Sequence, residues 1–297
     1  MKNSETVNNS YASNKRIVII LSLIILVLSL ISTLTGVFSR QVKEYADVTT
    51  VFGENVQLYQ KGLYARDSVS MASQAIAQDV VTLLIVIPFL LVSLWLVKKQ
   101  NRKGLFLLTG IIGYFLYTYT SYSFLIVFNS FYLVYVLLMT LSFYGFILCF
   151  MELSKLDIGE CLTERFPRKA LSVFFFTGGI MIMLMWLGKI VPALLAGSAP
   201  AQLEHYATLV IQSLDLGFVV PACIVTAHLL RKENKWGYLL AIVLVVKMVT
   251  MTATVSAMAI QMKRNGVYVG LDEQLLFLVL FLISAFFMIK MLREIKA

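Results

Sequence analysis

Along this chain polar and apolar positions do not alternate; they separate into long blocks. Eight apolar runs stand out: Ile17 to about Phe38, Gln78 to Val97, Gly104 to Tyr122, Phe131 to Leu153, Ala170 to Val191, Tyr206 to Leu230, Trp236 to Met262 and Gln274 to Leu292. Crossing a hydrocarbon core takes about 20 residues of α-helix. Each run is near that length, and backbone groups in lipid must be bonded within their own segment, so each predicts a membrane-spanning helix. A β-barrel is excluded, because its strands need a two-residue alternation that these runs lack. The fold class predicted is all-α: a polytopic transmembrane helix bundle of eight spans.

The polar blocks complete the plan. Residues 1–16 are Asn- and Ser-rich and read as a disordered cytoplasmic tail, leaving 17–297 as a single transmembrane domain. Lys15 and Arg16 before the first run also suit a signal peptide. That run, however, exceeds the usual core of about 7–15 residues and no clear small-x-small cleavage site follows, which favours an uncleaved anchor. The segment 40–77 is the one large outer loop, and its later part, Glu54 to Gln78, lacks proline and is compatible with a helix leading into the second span. Ser154 to Lys169 reads as a solvated inner loop and Gly197 to His205 as a tight outer linker. None is large enough for a catalytic domain, so function must reside between the helices.

Composition agrees with the pattern. The 297 residues are 59% hydrophobic and 14% charged, with a mean hydropathy of +0.84, against about 25% charged in soluble domains. With the N-terminus in the cytoplasm, 17 of the 25 Lys and Arg residues fall inside, six outside, and Lys189 and Lys247 within spans. This excess on one side predicts both termini in the cytoplasm of a plasma-membrane protein. The net charge of +9 is then mostly a topology signal. Its residues sit in short turns, whereas nucleic-acid binding needs a basic face on a folded surface, so no nucleic acid is expected as partner. The expected surroundings are the lipid bilayer, with a small solute, ion or proton and membrane partner subunits as candidate partners. Cys149, Cys161 and Cys223, an odd count with none in the outer loops, are expected as unpaired thiols.

A shift of 133 residues aligns the second and third spans with the sixth and seventh. Pro88 falls on Pro221, Val92 on Val225, Leu96 on Leu229, Lys99 on Lys232, Asn101 on Asn234 and Gly104 on Gly237: six identities in 17 positions. Both hairpins turn at the inner face, so the expectation is a parallel repeat of two four-helix halves, 17–153 and 170–292. The alternative is that two helix hairpins with basic turns simply look alike. Polar character recurs across the shift while its identity changes: Thr82 meets Asp215, Asp79 meets Gln212 and Tyr114 meets Lys247.

An ionisable residue in mid-bilayer costs about 2.5–3.5 kcal/mol on insertion scales, which makes it a candidate for function. Counted along their helices, Lys247 lies roughly 16 Å and Asp215 roughly 24 Å from the inner face, a gap of ~8 Å that a flexible lysine spans. Asp215 and Lys247 are therefore expected to face the interior in one polar network, with Gln212, Tyr114 and Asp79 near them. Mutual neutralisation is the competing structural role. Lys189 and Asp79 lie toward the outer interface, where they serve as anchors or, with Gln212, line a vestibule leading to Asp215. Tyr114, Tyr117, Tyr119 and Tyr122 read chiefly as an interfacial aromatic belt, and Pro88, Pro192 and Pro221 as kinks. His205 and His228 are expected at opposite ends of one helix, too far apart to share a metal.

No phosphate-binding glycine loop, His-Glu-x-x-His, Cys-x-x-Cys or Gly-x-Ser-x-Gly motif is present. No catalytic set, metal or cofactor is predicted; a retinal-type Schiff base on Lys247 with Asp215 as counter-ion needs more than these two residues. The remaining readings are a pathway for a small solute, ion or proton, or a sensor of such a ligand, and a structural or accessory subunit whose charges only glue helices. The segments Ala77-Gln78-Asp79-Val80-Val81-Thr82, Phe115-Leu116-Tyr117-Thr118-Tyr119 and Leu214-Asp215-Leu216-Gly217 resemble stretches of bacterial polytopic membrane proteins that have no assigned activity. That resemblance implies a prokaryotic plasma membrane and no substrate or ligand residues.

Overall fold

A computed structural model of the chain describes residues 16–296 with their side chains; the expected tail lies outside these but for Arg16. The structure is 77% helical. Eight of its helices are long and apolar enough to cross a membrane, which makes this a multi-pass membrane protein. Span 1 is α1 (Arg16–Phe38). Span 2 is broken into α2 (Val69–Val81), a π-helical turn (Thr82–Val86) and α3 (Ile87–Lys98). Spans 3 and 4 are α4 (Arg102–Leu125) and α5 (Tyr132–Ser154), followed by the one-turn α6 (Ile158–Cys161). Span 5 is α7 (Arg168–Ala196). Span 6 repeats the broken form of span 2: α8 (Val210–Leu214), a π-helical turn (Asp215–Val219) and α9 (Val220–Arg231). Spans 7 and 8 are α10 (Lys235–Arg264) and α11 (Leu271–Glu294).

Two expectations about boundaries change. Residues 54–68 do not extend the second span as helix. They hold a two-residue strand (Asn55–Val56) paired antiparallel with Val48–Thr49, and a 3₁₀ turn (Gly62–Tyr64). Ser68 ends this stretch as the N-cap of α2, its hydroxyl accepting from the Met71 amide, which satisfies one of the orphan donors of a helix start. Likewise the sixth span begins at Val210, so His205 lies in the preceding loop and not on the helix that carries His228.

The segments 39–68, 126–131, 198–209 and 265–270 gather at one end of the bundle, called the cap end. The basic hairpin turns 99–101 and 232–234, with 155–167, gather at the other. There, Arg168 pairs with Glu233 at 2.7 Å and Lys235 donates to the Ser154 carbonyl at 2.6 Å. Helices α4 and α10 pack against each other at the centre, α2, α3 and α5 lie on α4 or α10, α7 lies on α9, and α1 lies on α5 and α2. Since lipid tails are as apolar as leucine, such a bundle is held by close packing and interhelical hydrogen bonds rather than by the hydrophobic effect.

The two broken spans share a local cause. Proline lacks an N–H and its ring clashes with the carbonyl one turn back. Pro88 and Pro221 each occupy the first turn of the helix that follows the π turn. The register widens to accommodate them: the amide of Ile87 bonds to the carbonyl of Thr82, and that of Val220 to the carbonyl of Asp215. At the far end both hairpins turn alike. Gln100 (φ 58°) and Glu233 (φ 55°) adopt the left-handed conformation. Asn101 and Asn234 then cap the next helix by accepting from the amides of Lys103 and Trp236. Glycine follows at 104 and 237 because a Cβ at either would come within 2.6 Å of the preceding helix's backbone. By contrast Pro192 sits inside an α7 that stays continuous.

Candidate functional site

Asp215 is the first residue of the second π turn and is only partly buried. One carboxylate oxygen accepts from the Tyr117 hydroxyl of α4 at 2.7 Å, the other from the Trp186 indole Nε1 of α7 at 2.9 Å. Lys247 of α10 does not pair with it directly; among the described residues no cation lies within 4.0 Å of Asp215. Instead the Lys247 ammonium stands over the Tyr117 ring, 4.0 Å from its centroid, a cation–π contact. One tyrosine therefore holds the carboxylate at its hydroxyl and the ammonium on its face. Gln212 is buried on α8, three residues before Asp215.

The other residues expected in this network lie elsewhere. Lys189 pairs with Glu273 of α11 at 2.5 Å and stands 5.5 Å from the Trp186 ring, so it touches the Asp215 locus only through that indole. Tyr114 bonds to Thr82 at 2.7 Å, with Thr254 at 3.5 Å. Asp79 belongs to a separate pocket. Its Oδ2 accepts from Tyr64 at 2.5 Å and its Oδ1 lies 3.2 Å from the Tyr122 hydroxyl, which also lies 2.9 Å from the Ala75 carbonyl. Gly36 of α1 makes room for it, because a Cβ there would fall 1.8 Å from Asp79 Oδ2. The aromatic belt expected on α4 turns inward: Tyr114, Tyr119 and Tyr122 are all at most 3% exposed. Their hydroxyls need partners that lipid does not offer, and the buried polar residues of α2, α5 and α10 lie beside them.

A third polar group lies outside the spans, at the cap end. Asp67 is 1% exposed. Its Oδ1 accepts from the Val127 amide at 2.9 Å and the Tyr206 hydroxyl at 3.0 Å. Ser68 donates to Glu204 next to it, and the His205 ring packs 4.4 Å from that of Tyr206. Burial pushes the Asp67 carboxyl up to about 7 against the lowering effect of its two hydrogen bonds. Burial likewise raises Glu204 and lowers His205, so removal from water, which disfavours the charged form, governs all three.

Sequence reasoning missed Trp186, Tyr64 and Asp67 and misread Tyr117 and Tyr122. Trp186 stands one turn before Lys189 on the same helix, which was the available signal. Tyr64 and Asp67 sit in an irregular segment where no periodicity says which side chain points inward. The three cysteines are free and buried, and no group of three acidic, His or Cys side chains among the described residues forms a metal site. The chain matches no known protein family, no curated protein and no solved structure.

Proposed function

We infer that this membrane protein provides a pathway for a small solute, ion or proton, or senses such a ligand, at the Asp215–Lys247 locus. The observation that supports it most is the split pair. A carboxylate stands at the Tyr117 hydroxyl and an ammonium on its ring face, each met by neutral groups, and Asp215 keeps some exposure. Charges retained in a spanning segment without neutralising one another are costly. They remain able to engage a charged guest: a cation at Asp215, an anion at Lys247, or a zwitterion at both. The π turn beneath Asp215 suits this reading, as π-bulges concentrate at functional sites.

A second reading has its own support. Asp215 ties together three helices through Tyr117 and Trp186, which is what a purely structural or accessory subunit would use it for. A thermal-shift screen of ions and small zwitterions on the purified protein separates the two. The pathway reading expects a ligand that raises the melting temperature of the wild type but of neither Asp215→Asn nor Lys247→Met. The structural reading expects both variants to lose stability and no compound to discriminate them.

The matched hairpins support a parallel repeat in which spans 2 and 3 correspond to spans 6 and 7. A Cβ on Gly110 of α4 would meet Val246 of α10 at 2.5 Å and then, at 3.0 Å, the carbonyl of Val243, its counterpart under the 133-residue shift. A position facing its own counterpart is what a pseudo-two-fold axis between α4 and α10 requires. Orientation follows the basic residues: the hairpin end and both termini in the cytoplasm, the cap end outside, in a prokaryotic plasma membrane.

A further inference from the structure

Among the described residues, eight buried side-chain polar atoms make no hydrogen bond, and five of them belong to Asp67, Asn129, Tyr135 and His205 at the cap end. Buried polar groups are nearly always paired, so such a concentration marks a place for something that bonds to them. The chemistry of three of these atoms says what. Asn129 Nδ2 only donates, an ionised Asp67 Oδ2 only accepts, and the Tyr135 hydroxyl does either. A bare cation suits the carboxylate and is repelled by the amide N–H. Water suits all three. Asn129 also lines a cavity of about 270 Å³ that opens at the cap end beside Gly62, Ala65 and Arg66, which brings solvent as far as that residue.

Inward from there further polar groups follow. The Tyr135 hydroxyl faces Tyr64 as well as Asn129, and Tyr64 is bonded to Asp79 at 2.5 Å. At Asp79 a count of protons is informative. A phenol has one to give. Tyr64 gives its own to Asp79 Oδ2, and the nearer acceptor for Tyr122 is the Ala75 carbonyl at 2.9 Å rather than Asp79 Oδ1 at 3.2 Å. The contact between Tyr122 and Asp79 Oδ1 is then at best a shared hydrogen bond, too weak to hold a full charge on a carboxylate out of water. Nothing else neutralises it. The groups facing Asp79 are Tyr64 before α2, Tyr114, Tyr119 and Tyr122 of α4, and Tyr135 of α5. From α1 there is only Gly36, and no described cation lies within ion-pair distance.

We propose that Asp79 is a proton-binding carboxyl inside the bundle, loaded from the cap end through Asp67, a water, Tyr135 and Tyr64. Run inward, each hydroxyl of the path accepts one proton and passes on the one it held, so a proton taken up at Asp67 leaves the Tyr64 proton on Asp79 Oδ2; run outward, the same path returns one proton to solvent. Exchange is one cycle of the two, and no bond other than O–H changes. The groups around the outer station are Tyr206, Glu204 and His205 of the 198–209 loop, Arg66 beside it in sequence, and Tyr135 of α5. The inference does not depend on the Asp215 locus, and its readout is the protonation of Asp79 and not transport.

The test is infrared difference spectroscopy on the full chain in lipid nanodiscs, transferred from water to deuterium oxide at neutral pH. A protonated-carboxyl C=O band that Asp79→Asn removes is expected, and it should shift as the proton exchanges. Asp67→Asn and Tyr135→Phe should keep the band and slow its exchange about tenfold or more, the effect of ~1.4 kcal/mol on a barrier. Should Asp79→Asn not fold, Tyr64→Phe serves, because losing the short hydrogen bond must move the same band. The proposal is overturned if no carboxyl band responds to Asp79→Asn or Tyr64→Phe. Unchanged exchange in both Asp67→Asn and Tyr135→Phe overturns it equally.

Discussion

The hairpin of spans 2 and 3 and that of spans 6 and 7 have the same skeleton and opposite interiors. Both have a π turn, a proline one turn below it, a left-handed residue at the hairpin, an asparagine cap and a glycine at the crossing. At the first residue of the π turn one carries Thr82 and the other Asp215. In the first hairpin Thr82 bonds to Tyr114 at 2.7 Å, and both residues are fully buried. In the second, the counterparts Asp215 and Lys247 stand either side of Tyr117 and are partly exposed. Hairpins with matching turns and caps thus hold a closed hydroxyl pair in one place and an open split ion pair in the other. A shared skeleton sets where polar groups can sit; the side chains decide whether they finish each other's valences or leave them for a guest.

The comparison can be broken most severely on the closed side. Gly36→Leu would place side-chain atoms on Asp79 Oδ2, a position that a Cβ alone already reaches to 1.8 Å. Overpacking of this kind costs about 3 kcal/mol or more, so the variant should unfold at markedly lower temperature in a detergent melt. Next in size, Tyr64→Phe removes the donor at 2.5 Å from a fully buried carboxyl. It should cost about 1–3 kcal/mol, the penalty for stranding a buried polar group. Tyr117→Phe should cost less, about 1 kcal/mol, because Asp215 retains Trp186 and some exposure. Equal losses in the two phenylalanine variants would mean that the two interiors do not differ as described.

A conversion sharpens the same point. Asp215→Thr combined with Lys247→Tyr writes the first hairpin's pair into the second. Replacing an ion pair in low dielectric by well-packed neutral groups is neutral or stabilising by about 1–4 kcal/mol. The double variant should therefore fold at least as well as wild type while losing any ligand response. Retention of that response would remove Asp215 and Lys247 from the proposed site.

A further expected effect, read across pH rather than in a single melt, is at the cap. Asp67 binds its proton more tightly folded than unfolded, with a carboxyl raised from 3.8 to about 7. The folded state then holds the extra proton between those values, so this group's contribution to stability is greatest at or below pH 4 and is lost as pH rises through 7. In thermal melts across that window Asp67→Asn should show a flatter decline than wild type. A wild type that gains stability from this group with rising pH would contradict the burial argument.

What the sequence made legible divides along the same lines. All eight spans were readable, because a lipid-facing helix writes its length as an unbroken apolar run. The local features the two hairpins share were readable from Pro88, Asn101 and Gly104 recurring at one spacing, since each has a backbone duty. The proline positions announced a kink but not its form: Pro88 and Pro221 widen their helices into π turns, while Pro192 leaves α7 continuous. The partners of the deep carboxylates were not readable. Asp79 is closed by Tyr64, from a loop without periodicity, and Asp215 by Trp186 on a helix that is mostly lipid-facing. Tyr117 and Tyr122 looked like a belt because aromatic residues near a helix end are usually interfacial; nothing in one sequence says which way a helix is rotated.

The central claim, an open site in the second hairpin opposite a closed one in the first, is tested most directly by placing one cysteine at each of the two equivalent positions. Thr82→Cys and Asp215→Cys, in a background where Cys149, Cys161 and Cys223 are replaced by serine or alanine, would be exposed to a small water-soluble thiol reagent in nanodiscs. Position 215 should react and position 82 should stay unmodified until the protein is denatured. Modification of both at similar rates, or of 82 alone, would contradict the account.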